Sequence, residues 1–180
     1  MYENSTNLNQ SADASVKTVA VRYGIITGIV TVIYSLILYM TELNNNKWLS
    51  FISTAILIVG IVLAHRYFKS LNSGYMSYGQ GLGIGSLLSV IVGVFSGIFM
   101  YVYLKFIDST VIERMQEAQY IEMEKRGMSE EQMEQAIQLS QKMTGPEMMV
   151  VWAILGTLFF GFILSLIISA ITKHTRPEFE

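Results

Sequence analysis

Four long apolar stretches constrain the fold of this chain more than any other feature. A bilayer core about 30 Å thick needs about 20 apolar helical residues to cross it. The two later stretches reach that length alone, and the two earlier ones reach it with their aromatic and snorkelling flanks. We therefore predict an all-α membrane protein with four transmembrane helices. The stretches, none of which contains Asp, Glu, Lys or Arg, are residues 23–40, 48–64, 81–104 and 148–171.

The composition favours the lipid bilayer as the principal partner. Of the 180 residues, 52% are hydrophobic and 14% are charged, against about 25% charged in a typical soluble domain. A net charge of −2 without a basic patch argues against a nucleic-acid partner. The chain has no cysteine, which excludes disulfides and thiolate chemistry.

The same pattern predicts the domain organisation. A helical bundle covers residues 20–172, and it includes a helical hairpin at 108–145 between spans three and four. We predict a disordered tail at 1–19 and a second short tail at 173–180. The first span is expected to be retained, because it lacks the basic start and small-residue cleavage site of a signal peptide. The four spans are predicted at about 20–40, 48–67, 79–106 and 147–172.

Basic residues near the span ends predict the orientation. Lys and Arg concentrate at the cytoplasmic ends of membrane helices. If all four spans cross, six such residues fall on one side. On the other side, the short loop between spans one and two carries only Lys47, and the segment after span three carries five bases beside nine acids. We expect both termini in the cytoplasm of a cell with an inner membrane, and the hairpin outside. The six residues are Lys17, Arg22, Arg66, Lys69, Lys173 and Arg176.

Small residues recur every four positions in spans three and four. A four-residue step keeps them on nearly one helix face, and small side chains let membrane helices approach closely. We predict that the two spans pack together, and a homodimer interface or a substrate groove stays open as an alternative. The residues are Gly81, Gly85, Ser89, Gly93 and Gly97 in span three, and Thr157, Gly161, Ser165 and Ser169 in span four.

Spans one and three begin with the same pattern, Y-G-x-x-x-G, at Tyr23–Gly28 and Tyr78–Gly83. Two related helical hairpins would produce such a parallel repeat. Recurrence by chance in glycine-rich apolar sequence explains it equally well.

The segment between spans three and four is predicted to form two amphipathic helices. Asp108 or Ser109 can cap the first helix, and Gly127 can end it. Ser129-Glu130-Glu131-Gln132 fits a capping box for the second. We expect the apolar side chains of the two helices to face each other; these are Val111, Met115, Ala118 and Ile121 against Met133, Ala136 and Ile137.

Methionines are concentrated in the same segment, with seven of the chain's eleven between Met115 and Met149. Methionine adapts to irregular partners. Met115, Met123 and Met133 are therefore candidates for a partner-binding surface, and filling gaps in a core is the alternative. Residues 108–147 carry nine acids against four bases, which disfavours a helix lying on lipid.

No residues are predicted to be catalytic, cofactor-binding or metal-binding. The only histidines, His65 and His174, fall at predicted span ends, where we expect His65 to be interfacial. No acidic or basic residue lies within the apolar stretches, which disfavours ion-coupled transport. Hydroxyls could line a polar path in an oligomer: Thr27, Thr31, Ser35, Ser86, Ser89, Ser96, Thr157, Ser165 and Ser169.

Three short segments resemble an uncharacterised family of small bacterial four-span membrane proteins, labelled only as a domain of unknown function. They are Ser73–Gly81, Phe106–Asp108 and Gly127–Gln132. The resemblance covers about Arg22 to Lys173. It implies four helices in a bacterial inner membrane, and it implies no activity, cofactor or catalytic residue.

Two functional hypotheses follow. The first is a non-enzymatic accessory protein of the cell envelope that engages a protein partner, or a second copy of itself, through the hairpin or the small-residue face. The second is an oligomeric channel or facilitator for a small solute.

Overall fold

The chain forms six α-helices in a computed structural model that describes residues 15–44, 46–143 and 145–175. A π-helical turn, Tyr103–Ile107, extends α3. Four of the helices are long and apolar enough to cross a membrane, as the sequence predicts. The helices are α1 Val16–Met40, α2 Lys47–Leu71, α3 Tyr78–Val102, α4 Thr110–Lys125, α5 Glu130–Met143 and α6 Pro146–Thr172.

The first helix begins earlier than the sequence predicts. The Ser15 side chain accepts a hydrogen bond from the Thr18 backbone N–H and caps α1 at Val16. The predicted disordered tail at 1–19 therefore gives way to helix over its last four residues. Its first 14 residues, and residues 176–180 of the second tail, lie outside the described part of the chain.

The four long helices alternate in direction. Arg22 near the start of α1 donates a hydrogen bond to Tyr67 near the end of α2. His65 in α2 contacts Gly81 at the start of α3 and Thr172 at the end of α6. The start of α1 and the end of α6 thus lie at one end of the bundle, which we call the His65 end. The opposite end carries α4 and α5 and is called the hairpin end.

Helix α3 is the centre of the bundle. It packs most extensively against α6 and next against α1, while α2 packs mainly against α1. Glycines allow the close approach of α1 to α3, because a Cβ on Gly24 or Gly28 would press on Ile91 or Phe95 of α3. The best-buried apolar side chains lie toward the His65 end; they include Ala20, Ile61, Phe68, Met76, Ile84 and Leu88.

The two halves of the Y-G-x-x-x-G repeat differ in what they contact. Gly24 and Gly28 face α3, whereas a Cβ on Gly79 would meet nothing within 4 Å and one on Gly83 would meet only Val16. The second copy of the motif instead follows a capping box at Ser77 and Gln80. The structure therefore gives the two motifs different roles in packing.

The hairpin rests on the bundle through the base of α4. Val111 is buried beside Tyr103 and Leu104 of the π-helical turn, and Ile112 packs there too. Gly127 ends α4 with a φ of 73°, and Ser129 and Gln132 form the predicted reciprocal cap of α5. Helix α5 contacts α4.

Candidate functional site

Helices α3 and α6 meet in a seam of small residues. A Cβ on Gly85 would overlap Ser165 of α6, and a Cβ on Gly161 would overlap Ser89 of α3. The two pairs are reciprocal, since each helix supplies one glycine and one serine. The other predicted residues lie in the same seam: Gly81 meets Ser169, Gly93 meets Ile154 and Thr157, and Gly97 meets Val150.

Two of the three serines of the seam, Ser89 and Ser165, form hydrogen bonds within their own helices. Ser89 Oγ donates to the Gly85 carbonyl at 2.8 Å, and Ser165 Oγ donates to the Gly161 carbonyl at 2.7 Å. Bonding back onto the same helix leaves the hydroxyls no capacity to donate to a ligand. The Oγ atoms of Ser86 and Ser169 are buried without a partner among the described residues. The seam is therefore closed and contributes packing, and its hydroxyls do not form a path.

A second set of hydroxyls lines an open groove between α2 and α6. This groove, which we call the hydroxyl groove, occupies about 480 Å³. All four spanning helices contribute hydroxyls to it: Thr31 and Ser35 from α1, Ser53 and Thr54 from α2, Ser96 from α3, and Thr157 from α6. Its apolar walls include Leu57, Val92, Trp152, Phe160, Ile163 and Leu164.

Most hydroxyls in this groove have unused hydrogen-bonding capacity. Thr31 Oγ1 donates to the Thr27 carbonyl at 2.8 Å. The other five make no hydrogen bond to any residue that the structure describes. The hydroxyls predicted from the sequence include Thr31, Ser35, Ser96 and Thr157 but not Ser53 and Thr54. Both stand in the apolar stretch of span two, where no spacing pattern distinguishes them.

His65 is buried and is not the interfacial residue that the sequence predicts. Its side chain has no exposed surface. Nε2 lies 2.9 Å from the Gly81 carbonyl, and Nδ1 lies 2.8 Å from Thr172 Oγ1. A carbonyl can only accept, so Nε2 carries a proton. The ring thereby ties α2 to α3 and α6. Its spacing of four places it on the same helix face as Ile61, but the burial of that face is visible only in the structure.

Two further contacts hold the same end of the bundle. Lys69 Nζ donates to the Thr172 carbonyl at 3.1 Å, where a cation also suits the C-terminus of α6. Met76 and His174 then pair through two backbone hydrogen bonds of 2.8 and 2.9 Å. These contacts fix the end of α6 against α2 and the start of α3. We therefore assign the His65 cluster a structural role.

A cleft of about 630 Å³ lies between α4 and the hairpin end of the bundle. Tyr39, Tyr103 and Met149 line it together with Met115 and Ala118 of α4. Met115 and Ala118 thus face the bundle rather than α5, in contrast to the predicted pairing. Gln119 is the α4 residue that accepts a hydrogen bond from Ser140 of α5.

Charged groups brace the mouth of this cleft. Arg114 forms ion pairs with Asp108 and with Glu42 of the loop after α1. The Thr110 hydroxyl donates to Asp108 and, with the Thr110 backbone N–H and Arg114, holds the pKa of that carboxyl below its ordinary value. Asp108 is therefore ionised at neutral pH, where it caps the start of α4.

The three candidate methionines have different environments. Met115 is 48% exposed, Met123 is half-buried, and Met133 is buried at 5%. Met133 therefore packs inside the hairpin and offers no surface to a partner. Other apolar side chains of the hairpin, which the sequence analysis did not single out for a partner, are exposed: Tyr120, Ile121 and Leu139.

Among residues 15–44, 46–143 and 145–175, no three side chains of the metal-binding types lie together. Comparison with curated proteins and with solved structures finds no match. One family model does match, and its description is "Protein of unknown function (DUF4199)". The match covers residues 22–174 and so includes all four spanning helices and the hairpin. The chain, which has four helices long and apolar enough to cross a membrane, therefore belongs to this family, whose description leaves its function open.

Proposed function

We propose that this protein is a non-enzymatic membrane protein that binds another protein through the α4–α5 hairpin. The observation that carries the proposal is apolar exposure outside the four spans. Tyr120 and Ile121 are each 43% exposed and Leu139 is 64% exposed. Apolar side chains on the spanning helices are covered by lipid, whereas those of the hairpin need a different cover.

The charge of the hairpin indicates the chemistry of its partner. Residues 108–147 carry nine acidic and four basic side chains. An anionic lipid surface would repel such a hairpin. A protein surface that combines apolar side chains with Lys or Arg would complement it. The cleft beside α4 could receive one apolar side chain of that partner.

Photo-crosslinking in native membranes tests this function. A photoreactive phenylalanine analogue is placed at Ile121 or Leu139, and at Leu71 of the His65 end as a matched control. Leu71 is also apolar and exposed, at 49%. We expect one discrete adduct from the two hairpin positions and none of that mass from Leu71. Glu124→Lys, combined with Glu131→Lys, should weaken the adduct by reversing the local charge.

The partner must then be shown to be specific. Once mass spectrometry has identified it, the reciprocal crosslink from the partner must recover this chain. An adduct of twice the chain's mass would identify a second copy as the partner. Equal adducts from hairpin and control positions, or no adduct from the hairpin, would refute the proposal.

The oligomeric facilitator stays an alternative, and the hydroxyl groove is the observation that favours it. Within one copy, the groove stops toward the His65 end at fully buried side chains of all three neighbouring helices, among them Ile61, Leu88 and Ser165. A solute path would therefore need to run between copies. The test is solute flux into liposomes that contain the protein. Loss of this flux in Thr157→Leu would support the alternative, and an unchanged flux would exclude it.

A further inference from the structure

The hydroxyl groove has the chemistry of a binding site for an uncharged, lipid-soluble ligand. We propose that it binds a neutral amphiphile of the diacylglycerol type, with a hydroxyl and ester carbonyls on an apolar body. The ligand enters sideways from the bilayer between α2 and α6. This proposal is independent of the hairpin and its partner.

The position of the groove limits what can enter it. Helices α2 and α6 touch toward the His65 end, where Leu57 lies against Gly161 and His65 bonds to Thr172. Toward the hairpin end they separate and leave the groove between them. Thr54 and Phe160 are exposed at its mouth. Because the floor is closed by buried side chains, a molecule can reach the groove from the lipid but cannot pass through the protein.

The depth of the groove explains why lipid tails alone do not suit it. Its hydroxyls lie about 5 to 11 residues from the helix ends nearest the hairpin, which is about 8 to 17 Å along the helix axis. These helices, at about 37 Å, exceed the hydrocarbon core by only a few ångström at each end. The hydroxyls therefore lie below the headgroups, where hydrocarbon offers them no hydrogen bonds.

Five unpaired hydroxyls at this depth favour a ligand that brings polar atoms with it. They contrast with Ser89 and Ser165 of the seam, whose hydroxyls bond back onto their own helices. Leaving a hydroxyl unsatisfied in an apolar medium costs free energy. Ester carbonyls and a free hydroxyl can pair with several of the five at once, and no polar headgroup needs to leave water for them to do so.

The lining also excludes a charged ligand. No Asp, Glu, Lys, Arg or His is among the residues that line the groove. A phosphate monoester would have no cation to neutralise it there. Phosphatidic acid, which has the same body as diacylglycerol and a phosphate in place of its hydroxyl, is therefore the matched negative probe.

The fluorescence of Trp152 reports on the occupant. The chain has two tryptophans, and Trp48 is 80% exposed and lies outside the groove. A Trp48→Phe protein keeps Trp152, in the groove wall, as its only tryptophan. This protein is reconstituted in phosphatidylcholine vesicles that contain increasing fractions of one dibrominated lipid: diacylglycerol, phosphatidic acid or phosphatidylcholine. Bromine quenches the fluorescence of a tryptophan that it contacts.

We expect saturable quenching by brominated diacylglycerol. Its apparent affinity should be at least about threefold above that of brominated phosphatidylcholine, because a threefold ratio corresponds to the free energy of one hydrogen bond in a membrane. Phosphatidic acid should be no better than phosphatidylcholine. Ser96→Ala combined with Thr157→Val should remove the preference.

A variant that fills the groove distinguishes loss of the binding site from misfolding of the protein. A Cβ on Gly156 would meet nothing within 4 Å, and Gly156 lines the groove. Gly156→Leu should therefore fill the groove without displacing the backbone and abolish the preference. Gly79→Leu is the matched control, because Gly79 is equally open but lies at the start of α3. It should leave quenching unchanged.

Four results would overturn the proposal. The first is equal quenching by diacylglycerol and phosphatidylcholine. The second is a preference for phosphatidic acid. The third is a preference for diacylglycerol that Gly156→Leu leaves intact in a folded protein. If a second copy fills the groove instead, quenching by every lipid falls as the protein-to-lipid ratio rises, which would also overturn it.

Discussion

Replacement of Gly85 by alanine should separate α3 from α6. The added Cβ would lie 2.8 Å from Ser165 Cβ and closer still to Ser165 Oγ. Carbon atoms pack best at about 3.5 to 4.0 Å, so the helices must move apart by about 1 Å. Overpacking of this kind costs about 1 to 3 kcal/mol. We expect a loss of that size in the free energy of unfolding of Gly85→Ala.

A substitution at Ser165, which lies opposite Gly85, provides the decisive comparison of stability. Ser165→Gly removes both atoms that the new Cβ would strike and leaves Ile61 at 3.3 Å. Alone it should cost about 0.5 to 1 kcal/mol, because glycine weakens a helix interior. The double variant should be about as stable as Ser165→Gly alone, which makes the coupling energy at least about 1 kcal/mol.

The assay is unfolding by sodium dodecyl sulfate in mixed micelles, followed by far-ultraviolet circular dichroism. Gly79→Ala is the matched control, because no heavy atom lies within 4 Å of its new Cβ. It should change stability by less than about 0.5 kcal/mol. A Gly85→Ala protein as stable as this control would refute the packing argument. So would a loss that Ser165→Gly does not relieve.

Three further outcomes are expected elsewhere in the molecule. His65→Ala should lower the free energy of unfolding by about 2 to 3 kcal/mol in the same assay, because it removes the two hydrogen bonds that tie α2 to Gly81 and Thr172 and leaves a cavity in place of a fully buried ring; an unchanged stability would contradict this. The pKa of Asp108 is below its ordinary value, so its capping of α4 is present at neutral pH and is lost only when the pH falls below the ordinary carboxyl pKa. The protection factors of the amide hydrogens at the start of α4, which correct for the slower intrinsic exchange in acid, should fall there, and Asp108→Ala should show the lower protection at every pH. Gly127→Ala should destabilise the α4–α5 turn by about 1 kcal/mol, since its φ is 73°, and trypsin should then cleave faster after Arg126.

The spans could be predicted from sequence because apolar length alone determines them. The third span, predicted at 79–106, extends over Tyr78–Ile107, and the fourth, predicted at 147–172, over Glu147–Thr172. The second was predicted to end at 67 but continues to Leu71, because Lys69 bonds to the end of α6 instead of ending its own helix. A prediction from hydropathy treats such a lysine as the end of the span and therefore ends the helix too early.

Side-chain environments could be predicted less well, because they depend on how helices rotate and diverge. The four-residue spacing of Gly85 and Ser89 identifies a helix face, and the structure places that face against α6. The hydroxyls of Ser53 and Thr54 carry no such pattern, and they become notable only because α2 and α6 separate around them. The burial of Met133 likewise depends on how α5 is rotated against α4.

If the four helices cross a bilayer, the hairpin lies on one side of it and the His65 end on the other. The chain has no cysteine, so single cysteines can be labelled in intact cells with a membrane-impermeant maleimide, and the purified chain carries no background label from other positions. Glu124→Cys in α4 should react from outside. Leu71→Cys should react only after the membrane is permeabilised, and Ile33→Cys, on the lipid-facing side of α1, should not react in either case. Labelling of Ile33→Cys in permeabilised cells at the rate of Leu71→Cys, or labelling of Leu71→Cys and Glu124→Cys from the same side, would contradict the four-span account.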